Sequence, residues 1–361
     1  MADRAHLVLE DGMVYEGRAF GAGATAFGEV VFNTSMTGYQ EMLTDPSYAG
    51  QIVMPTYPLI GNYGINERDS ESREVQVSGF VVREHNTNPS HSLSTSTLHD
   101  FLVAQGVPGL SGIDTRAVTR RLRNRGVMMG AITVGESPES ALARLRELPP
   151  YDEVDYVAKV STKEPYDWTE DGAAAGRRYR VLVDDYGVKY NIMRILRSKG
   201  CEVTAIPAKA SAGYIMSRRP DGVVLSPGPG DPELLDYAVD TAKSLAGRVP
   251  ILGICLGNQV IARAFGGRTF KLKFGHRGGN HPVRDLDTGR VHITAQNHGY
   301  AVDPDSLPPE VRVSHVNLND ATVEGLRHKS LPIMSIQYHS EASPGPLDNT
   351  YVFDKFLEML S

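Results

Sequence analysis

The stretch "GICLGNQ" (253–259) places a cysteine where an activated nucleophile is expected. Cys255 follows the apolar run "VPIL", with Gly253 two residues before it and Gly257 two after. Glycine–x–nucleophile–x–glycine between a strand and a helix is typical of a nucleophile elbow. The glycines leave room for a tight turn, and the N-terminus of the following helix favours the thiolate. Because the N–H of Leu256 would face an oxyanion formed there, the pattern predicts acyl transfer at Cys255.

A base and its orienting acid follow in "LPIMSIQYHSEASPGP". Residues 332–338 are interpreted as a strand, and His339 and Glu341 lie just past its end. A carboxylate two residues on would hold the imidazole in its working tautomer. The turn "SPGPGDP" (226–232) has two interpretations: a rigid turn only, or a second source of oxyanion-binding N–H groups from Gly228 or Gly230.

Other reactive residues fit structural roles better. Cys201 opens the predicted strand "CEVTAI" without flanking glycines, which is typical of a buried cysteine. The histidines of the 276–298 region fit local hydrogen bonding; a metal site is possible, but no compact ligand spacing supports it, so none is expected. The four are His276, His281, His292 and His298. The GxxxxGK[ST] spacing of a phosphate-binding loop is absent.

The second half of the chain alternates strands and helices. "RYRVLVDDYG", "CEVTAIPA", "DGVVL" and "VPILGIC" are strand candidates, separated by the helix candidates "VKYNIMRILRSKG" and "ELLDYAVDTAKSLAG". "LGNQVIARAFGG" follows as a helix. This order predicts an α/β domain with a mostly parallel sheet covered on both faces. Ligands of such sheets bind beyond the carboxyl ends of the strands, where Cys255 and "SPGPG" would lie.

The first half predicts a smaller α+β domain without a catalytic arrangement of its own. Asp11–Gly12 between alternating apolar residues indicates a hairpin. "EVQVSGFVV" (74–82) is another strand candidate, and helices are expected at "STLHDFLVAQG" and, between Asp114 and Gly126, at "DTRAVTRRLRNRG". The predicted organisation is a first domain at 1–160, a polar linker at 161–178 and a second domain at 179–361.

Composition limits the class of protein. The 361 residues are 41% apolar and 22% charged, with two cysteines and a formal net charge of -6. Two cysteines without CxxC favour a reducing compartment over secretion. Bulk charge does not indicate nucleic-acid binding, and no apolar run approaches the about 18–20 residues needed to span a membrane. The expectation is a cytoplasmic enzyme that acts on neither nucleic acid nor membranes.

Four segments, "GICLGNQ", "SPGPGDP", "TAQNHGYAV" and "YHSEASPGP", together resemble class I (triad) glutamine amidotransferases. In the first half, "FNTSMTGYQEMLTDPSYAGQIV", "YPLIGNYGIN" and "GIDTRAVTRRLRNRG" resemble the amino-terminal domain of the small, glutamine-hydrolysing subunits of carbamoyl phosphate synthetases. The similarity runs from "LVLEDG" to "YVFDKFLEML". The amidotransferase motifs are shared by many enzymes, whereas the first-half motifs are specific to the small subunits.

The resemblance implies a role for each matching residue. Cys255 would be the nucleophile, His339 the general base and acid, and Glu341 its orienting carboxylate. L-glutamine would be bound by a set drawn from both halves, which would put the pocket at the domain junction. That set is Ser47, Gly228, Gly230, Leu256, Gln259, Asn297, Gly299 and Tyr300.

The resemblance also implies a partner. Ammonia would pass through an internal tunnel to a large subunit that makes carbamoyl phosphate from bicarbonate and ATP for arginine and pyrimidine biosynthesis. No cofactor is expected in this chain, and ATP and a divalent metal are expected in the large subunit. Two alternatives remain open: a stand-alone cysteine hydrolase, and a catalytically inactive regulatory subunit.

The chain departs from the commonest family pattern at four positions. Asn258 stands where the elbow usually has histidine, and Tyr338 and Ser340 flank His339 where glycine and proline are usual. Tyr300 replaces a frequent phenylalanine. None of these changes removes a triad group.

Overall fold

A computed structural model describes residues 4–169 and 179–360. The chain forms two compact units, Met1–Val154 and Asp155–Ser361. Within the predicted linker (161–178), residues 170–178 lie outside the described parts of the chain, and Tyr166–Asp167 forms a short strand of the second unit. Each unit is built around its own sheet.

In residues 4–154, seven strands close into a barrel in the order β1-β2-β8-β6-β4-β3-β9, and β5 pairs with β7. The strands are β1 (Arg4–Leu9), β2 (Val14–Gly21), β3 (Ala26–Asn33), β4 (Gln51–Pro55), β5 (Leu59–Ile60), β6 (Gly79–Val81), β7 (Glu84–His85), β8 (Pro108–Ser111) and β9 (Met128–Val134). The helices are α1 (Tyr39–Thr44), α2 (Leu98–Ala104), α3 (Thr115–Arg125) and α4 (Pro138–Leu145).

In the first unit the predicted hairpin and the two predicted helices are confirmed, whereas the strand candidate 74–82 is a strand only at β6 (Gly79–Val81). β1 and β2 form the predicted hairpin, with Val8 opposite Val14 and Gly12 in the turn at φ 85°. The side chain of Asp114 accepts from the N–H of Ala117 and caps α3, which ends before Gly126. Closure of the strands into a barrel was not predicted, because it depends on pairings between strands distant in sequence.

In residues 155–169 and 179–360, ten strands form one sheet in the order β10-β12-β11-β13-β14-β19-β18-β17-β15-β16. The strands are β10 (Tyr166–Asp167), β11 (Tyr179–Asp185), β12 (Cys201–Pro207), β13 (Gly222–Leu225), β14 (Ile251–Ile254), β15 (Thr269–Asp285), β16 (Val291–Val302), β17 (Val311–Asn317), β18 (Val323–His328) and β19 (Ile333–Ile336). The helices are α5 (Val157–Val160), α6 (Tyr190–Ser198), α7 (Ala212–Ser217), α8 (Asp236–Leu245), α9 (Leu256–Ala264) and α10 (Tyr351–Glu358).

The predicted parallel sheet corresponds to five neighbouring strands, β12, β11, β13, β14 and β19. Beyond β19 the sheet continues antiparallel through β18, β17, β15 and β16, an extension that the sequence analysis did not foresee. The parallel strands bring their carboxyl ends to one edge, so the segments after β11, β13, β14 and β19 meet there.

Apolar packing covers both faces of the parallel strands. Along β11, Val181 and Val183 join one buried cluster with α6 and α10, while Leu182 joins another with α7, α8 and α9. This alternation follows from the two-residue period of a strand. No helix within the described residues combines the length and apolar character needed to cross a membrane.

Candidate active site

The turn at Cys255 joins β14 to α9 and has the predicted elbow geometry. Cys255 is the N-cap of α9 and has φ 53° and ψ −103°, a positive-φ conformation that non-glycine residues adopt rarely and at a cost. A Cβ on Gly253 would lie 2.6 Å from the carbonyl oxygen of Gly257, and one on Gly257 would overlap the carbonyl oxygen of Leu225. Glycine is therefore required at both positions, as predicted.

Burial of the cysteine differs from expectation. An elbow bend is expected to present its nucleophile at the surface, yet Cys255 is only 2% exposed and belongs to the apolar cluster around α6 and α10. Its thiol donates to the carbonyl oxygen of Asn297 at 3.6 Å. Cys201 is buried at the start of β12, as predicted, and the chain's two cysteines are not joined in a disulfide.

The next parallel strand brings the histidine to the same edge. Ile254 of β14 is opposite Ile336 of β19, and the N–H of Cys255 donates to the carbonyl oxygen of Ile336 at 2.8 Å. Three residues later the N–H of His339 donates to the carbonyl oxygen of Ala295, which fixes the backbone beyond the strand.

His339 and Glu341 form a short, buried pair. Nδ1 of His339 lies 2.5 Å from Oε1 of Glu341, and both side chains are almost inaccessible. Burial lowers the pKa of His339, but the charge of Glu341, the neighbouring Cys255 and the hydrogen bond to Glu341 outweigh it and raise that pKa to about 10. Nε2 of His339 therefore remains for proton exchange with the sulfur, the order nucleophile–base–acid that acyl transfer needs.

Lys189 is a member of the site that the sequence analysis missed. It follows β11, is 2% exposed, and places Nζ 3.1 Å from Oε1 of Glu341 and 2.6 Å from the carbonyl oxygen of Ala342. Burial alone would raise the pKa of Glu341, but the charges of Lys189 and His339 outweigh burial and lower that pKa to about 2. A signal was present in the sequence: Lys189 lies four residues beyond the end of β11, in the connection at the sheet edge that carries Cys255.

The Gly228 turn follows β13, the neighbour of β14 on the other side. A Cβ on Gly228 would lie 2.8 Å from Cδ2 of Leu256, so this turn packs against the first residue of α9. Gly230 has φ 90°, which favours glycine. The N–H of Leu256 has no partner carbonyl within its own helix, whereas that of Gly257 donates to Ser226. Leu256 is therefore the better placed oxyanion donor of the elbow.

The remaining predicted glutamine-binding residues divide between the units. In the second unit, Nε2 of Gln259 donates to the carbonyl oxygen of Tyr300 at 3.0 Å, and Asn297 and Gly299 lie on the same strand, β16. Ser47 belongs to the first unit, in the turn after α1, where its N–H donates to Asp45 at 2.9 Å. The hydroxyl of Ser47 is buried and has no hydrogen-bond partner among the described residues.

The departures from the common family pattern lie in buried positions. Asn258 donates to Gln337 at 3.0 Å and accepts from Ser335 at 2.8 Å, so it packs behind the elbow. Tyr338 and Ser340 are both inaccessible, and the ring of Tyr338 meets that of His315 edge-on. With these residues in place, His339 and Glu341 remain within hydrogen-bond distance of each other.

Comparison with known proteins identifies the class and then the family. Residues 181–359 match the family model "Glutamine amidotransferase class-I", so the second unit is a domain of that class. Residues 7–132 match "Carbamoyl-phosphate synthase small chain, CPSase domain". The chain belongs to the carbamoyl phosphate synthase small chain family.

Full-length relatives agree with this assignment. Carbamoyl phosphate synthase small chain of Syntrophotalea carbinolica is 50% identical, with 99% of this chain and 98% of the relative covered. The Symbiobacterium thermophilum small chain is 51% identical over 98% of this chain and 97% of the relative. The Staphylococcus haemolyticus small chain is 49% identical over 100% of this chain and 97% of the relative. The similarity therefore extends over both units.

Proposed function

We propose that this chain hydrolyses the side-chain amide of L-glutamine at Cys255 and delivers the ammonia to a large synthetase subunit. The observation that carries the proposal is the buried array at the strand ends: an elbow cysteine, His339 at 2.5 Å from Glu341, and Lys189 behind them. The large subunit would use bicarbonate and ATP to make carbamoyl phosphate for arginine and pyrimidine biosynthesis in the cytoplasm.

The chemistry runs in two halves. The Cys255 thiolate attacks the amide carbonyl carbon, and the N–H groups of Leu256 and Gly228 stabilise the oxyanion, each worth about 3–4 kcal/mol of barrier. Protonated His339 gives its Nε2 proton to the leaving nitrogen, the C–N bond breaks, and ammonia and a glutamyl thioester form. Neutral His339 then takes a proton from water, whose oxygen attacks the thioester. The C–S bond then breaks and releases the Cys255 thiolate beside protonated His339, and the new carboxyl group gives its remaining proton to solvent as glutamate leaves.

No step in this sequence needs a cofactor from this chain. ATP and the divalent metal belong in the large subunit. The names of the relatives support the partner, because a small chain implies a larger one. The intact array favours an enzyme over an inactive regulatory subunit, and the small-chain domain at residues 7–132 favours a synthetase subunit over a stand-alone hydrolase.

A labelling experiment tests the nucleophile. A glutamine analogue with an electrophilic side chain should modify Cys255 and spare Cys201, which lacks the helix terminus and the base. Peptide mass spectrometry locates the label, and excess glutamine should slow labelling. Modification of Cys201 in preference to Cys255, or labelling that glutamine does not slow, would reject the assignment.

Ser47 is proposed to bind glutamine through its unpartnered hydroxyl. Ser47→Ala should raise KM for glutamine several-fold with a smaller change in kcat, because it removes binding common to ground and transition states. Steady-state glutaminase kinetics of the complex with the large subunit provide the measurement. A large loss of kcat with KM unchanged would contradict this role.

Co-elution tests the partner. The large subunit, mixed with this chain, should form a complex on size-exclusion chromatography that converts glutamine, bicarbonate and ATP to carbamoyl phosphate. Vigorous glutaminase activity of the lone chain together with no complex would favour the stand-alone hydrolase instead. Absence of glutaminase activity in a complex that forms would favour the inactive regulatory subunit.

A further inference from the structure

A second cluster of ligand-type side chains joins three strands of the antiparallel extension. His276 of β15, His298 of β16 and Glu324 of β18 are all buried, and one nitrogen or oxygen atom from each lies within 4.8 Å of the other two. His276 and His298 are direct cross-strand partners. The members are 22 or more residues apart in sequence, which is why the spacing of the histidines gave no indication of a site.

His276 presents a bare ring nitrogen to this cluster. Its Nε2 lies 2.8 Å from Oδ2 of Asp320, a carboxylate that accepts the ring N–H. Its Nδ1 has no hydrogen-bond partner among the described residues and lies 3.7 Å from Oε1 of Glu324. The side chain of His276 is 9% exposed, so water does not readily reach this atom.

His298 also directs a lone pair at an acceptor. Its Nδ1 donates to the carbonyl oxygen of Tyr300 at 2.8 Å, and its Nε2 lies 2.9 Å from Oε1 of Gln296. The amide of Gln296 is oriented by Glu324, whose carboxylate accepts from its Nε2 at 2.9 Å. Both ring nitrogens of His298 therefore face acceptor oxygens, and a neutral imidazole, which carries one N–H, can satisfy only one of them. A cation between these groups would remove the conflict.

We propose that Nδ1 of His276, Nε2 of His298 and the carboxylate of Glu324 form a binding site for a divalent transition-metal ion of the zinc type. Two imidazoles and one carboxylate are donors that zinc accepts, whereas magnesium and calcium prefer oxygen ligands throughout. Ligand atoms around tetrahedral zinc are roughly 3.3 Å apart. The three atoms lie within 4.8 Å of one another, with Nδ1 of His276 3.7 Å from Oε1 of Glu324, so binding requires them to move closer together.

The surroundings match those of a metal site. A ligating histidine commonly donates its other N–H to a carboxylate or a backbone carbonyl, as His276 does to Asp320 and His298 to Tyr300. Asn317 donates to Oε1 of Glu324 at 2.9 Å and orients that carboxylate. Asp320, whose side chain is 39% exposed, marks a route from solvent to the cluster.

A proton is the competing occupant. Burial lowers the pKa of His276, but Glu324 and Asp320 outweigh it and raise the pKa. A proton on Nδ1 would then lie between His276 and Glu324. The ring of His281 lies 5.3 Å from that of His276. Burial, with a smaller contribution from the charge of His276, lowers the pKa of His281 to about 4. An imidazole nitrogen ligates a metal only when it carries no proton, so affinity should fall as pH falls.

A bound ion would connect the site to the glutamine-binding strand. His298 lies between Asn297, whose carbonyl oxygen meets the thiol of Cys255, and Gly299. An ion held by His298 would tie β16 to β15 and β18 at this point. The proposal concerns metal binding itself and does not depend on glutamine hydrolysis.

Zinc titration of the purified full chain tests the proposal. Isothermal titration should give one Zn²⁺ per chain, with proton release that depends on the buffer. His276→Gln and Glu324→Gln should each weaken binding by at least about tenfold. The matched controls are His292→Gln, which changes a half-buried histidine of β16 outside the cluster, and Cys255→Ser, which removes the proposed catalytic thiolate; both should bind as the parent does.

X-ray absorption of the zinc-loaded parent protein decides the outcome even if a cluster variant fails to fold. Two imidazole nitrogens and an oxygen without sulfur are expected in the first coordination sphere. Sulfur ligation, loss of binding in Cys255→Ser, stoichiometric binding unchanged by folded His276→Gln and Glu324→Gln, or no binding at neutral pH would overturn the proposal.

Discussion

At the scale of single residues, the active site depends on how its buried charges are compensated. Glu341 is fully buried between His339 and Lys189, so its negative charge is compensated on both sides. Burying one carboxylate without a partner would cost several kcal/mol, and two cations allow it to remain ionised. The array therefore contains four groups, and the lysine is as much a part of it as the triad.

Removing Lys189 should show this dependence. Lys189→Met leaves Glu341 with only His339 as a charged partner, and the free energy of unfolding should fall by about 3 kcal/mol. The matched control is Lys199→Met, which breaks a more exposed pair with Asp354 and should cost less than about 1 kcal/mol. Urea denaturation measures both. Equal, small losses in the two variants would contradict a supporting role for Lys189.

The two pKa shifts predict how stability depends on pH. The pKa of Glu341 is lowered from 4.5 to about 2, so its contribution is present above pH 4.5 and is lost as pH falls through about 2. The pKa of His339 is raised from 6.5 to about 10, so its contribution is present below pH 6.5 and is lost as pH rises through about 10.

Glu341→Gln should therefore reduce the pH dependence in both ranges, because the titrating carboxylate is gone and the main cause of the His339 shift goes with it. Denaturation midpoints between pH 2 and 10 test this for the parent and the variant. Glu358→Gln, on the exposed side of α10, should leave the parent profile unchanged. A Glu341→Gln profile that parallels the parent would show that the pair is not coupled as described.

At the scale of elements, the β14–α9 turn determines where the sulfur lies. Gly257 packs against the end of β13, and any side chain there would push α9 away from the sheet. Gly257→Ala should lower the free energy of unfolding by about 1–3 kcal/mol. It should also lower kcat by more than the loss of folded protein accounts for. The reason is that a shift of α9 would move both the Cys255 sulfur and the Leu256 N–H.

The control for this prediction is Gly213→Ala in α7. Its new Cβ would meet only Oγ of Ser211, at 3.8 Å, and alanine favours helix, so stability should be unchanged or rise by up to about 1 kcal/mol. Thermal melts and glutaminase assays of both variants are sufficient. Parent-like activity in Gly257→Ala would mean that the elbow tolerates a side chain.

Features that depend on a few adjacent residues could be predicted from the sequence, whereas contacts between distant segments could not. The elbow, the hairpin at Gly12 and the cap at Asp114 each follow from a few adjacent residues, and all three are present. The pairing of His339 with Glu341 followed from their separation of two residues. Lys189 and its partner Ala342 are 153 residues apart in sequence, so the position of Lys189 after β11 indicates the sheet edge but not the contact itself, which only the sheet order reveals.

At the scale of the whole molecule, what escaped prediction is long-range pairing. The barrel of the first unit joins β1 to β9 across more than a hundred residues, and the antiparallel strands beyond β19 place His276 beside His298 and Glu324. Such pairings depend on loop closure between distant segments and leave little trace in local periodicity. The family motifs, by contrast, extend over both units and identify the chain as a small chain.

The most direct test of the account is ammonia supply by a complex that lacks the proposed nucleophile. Cys255→Ser, assembled with the large subunit, should lose glutamine-dependent carbamoyl phosphate synthesis by at least about a thousandfold. It should retain synthesis from added ammonium salt, and this activity should rise with pH as unprotonated ammonia increases. Cys201→Ala, the same kind of change at the other cysteine, should keep both activities. Parent-like use of glutamine by Cys255→Ser, or loss of the ammonia-dependent reaction in a folded and bound variant, would contradict the account.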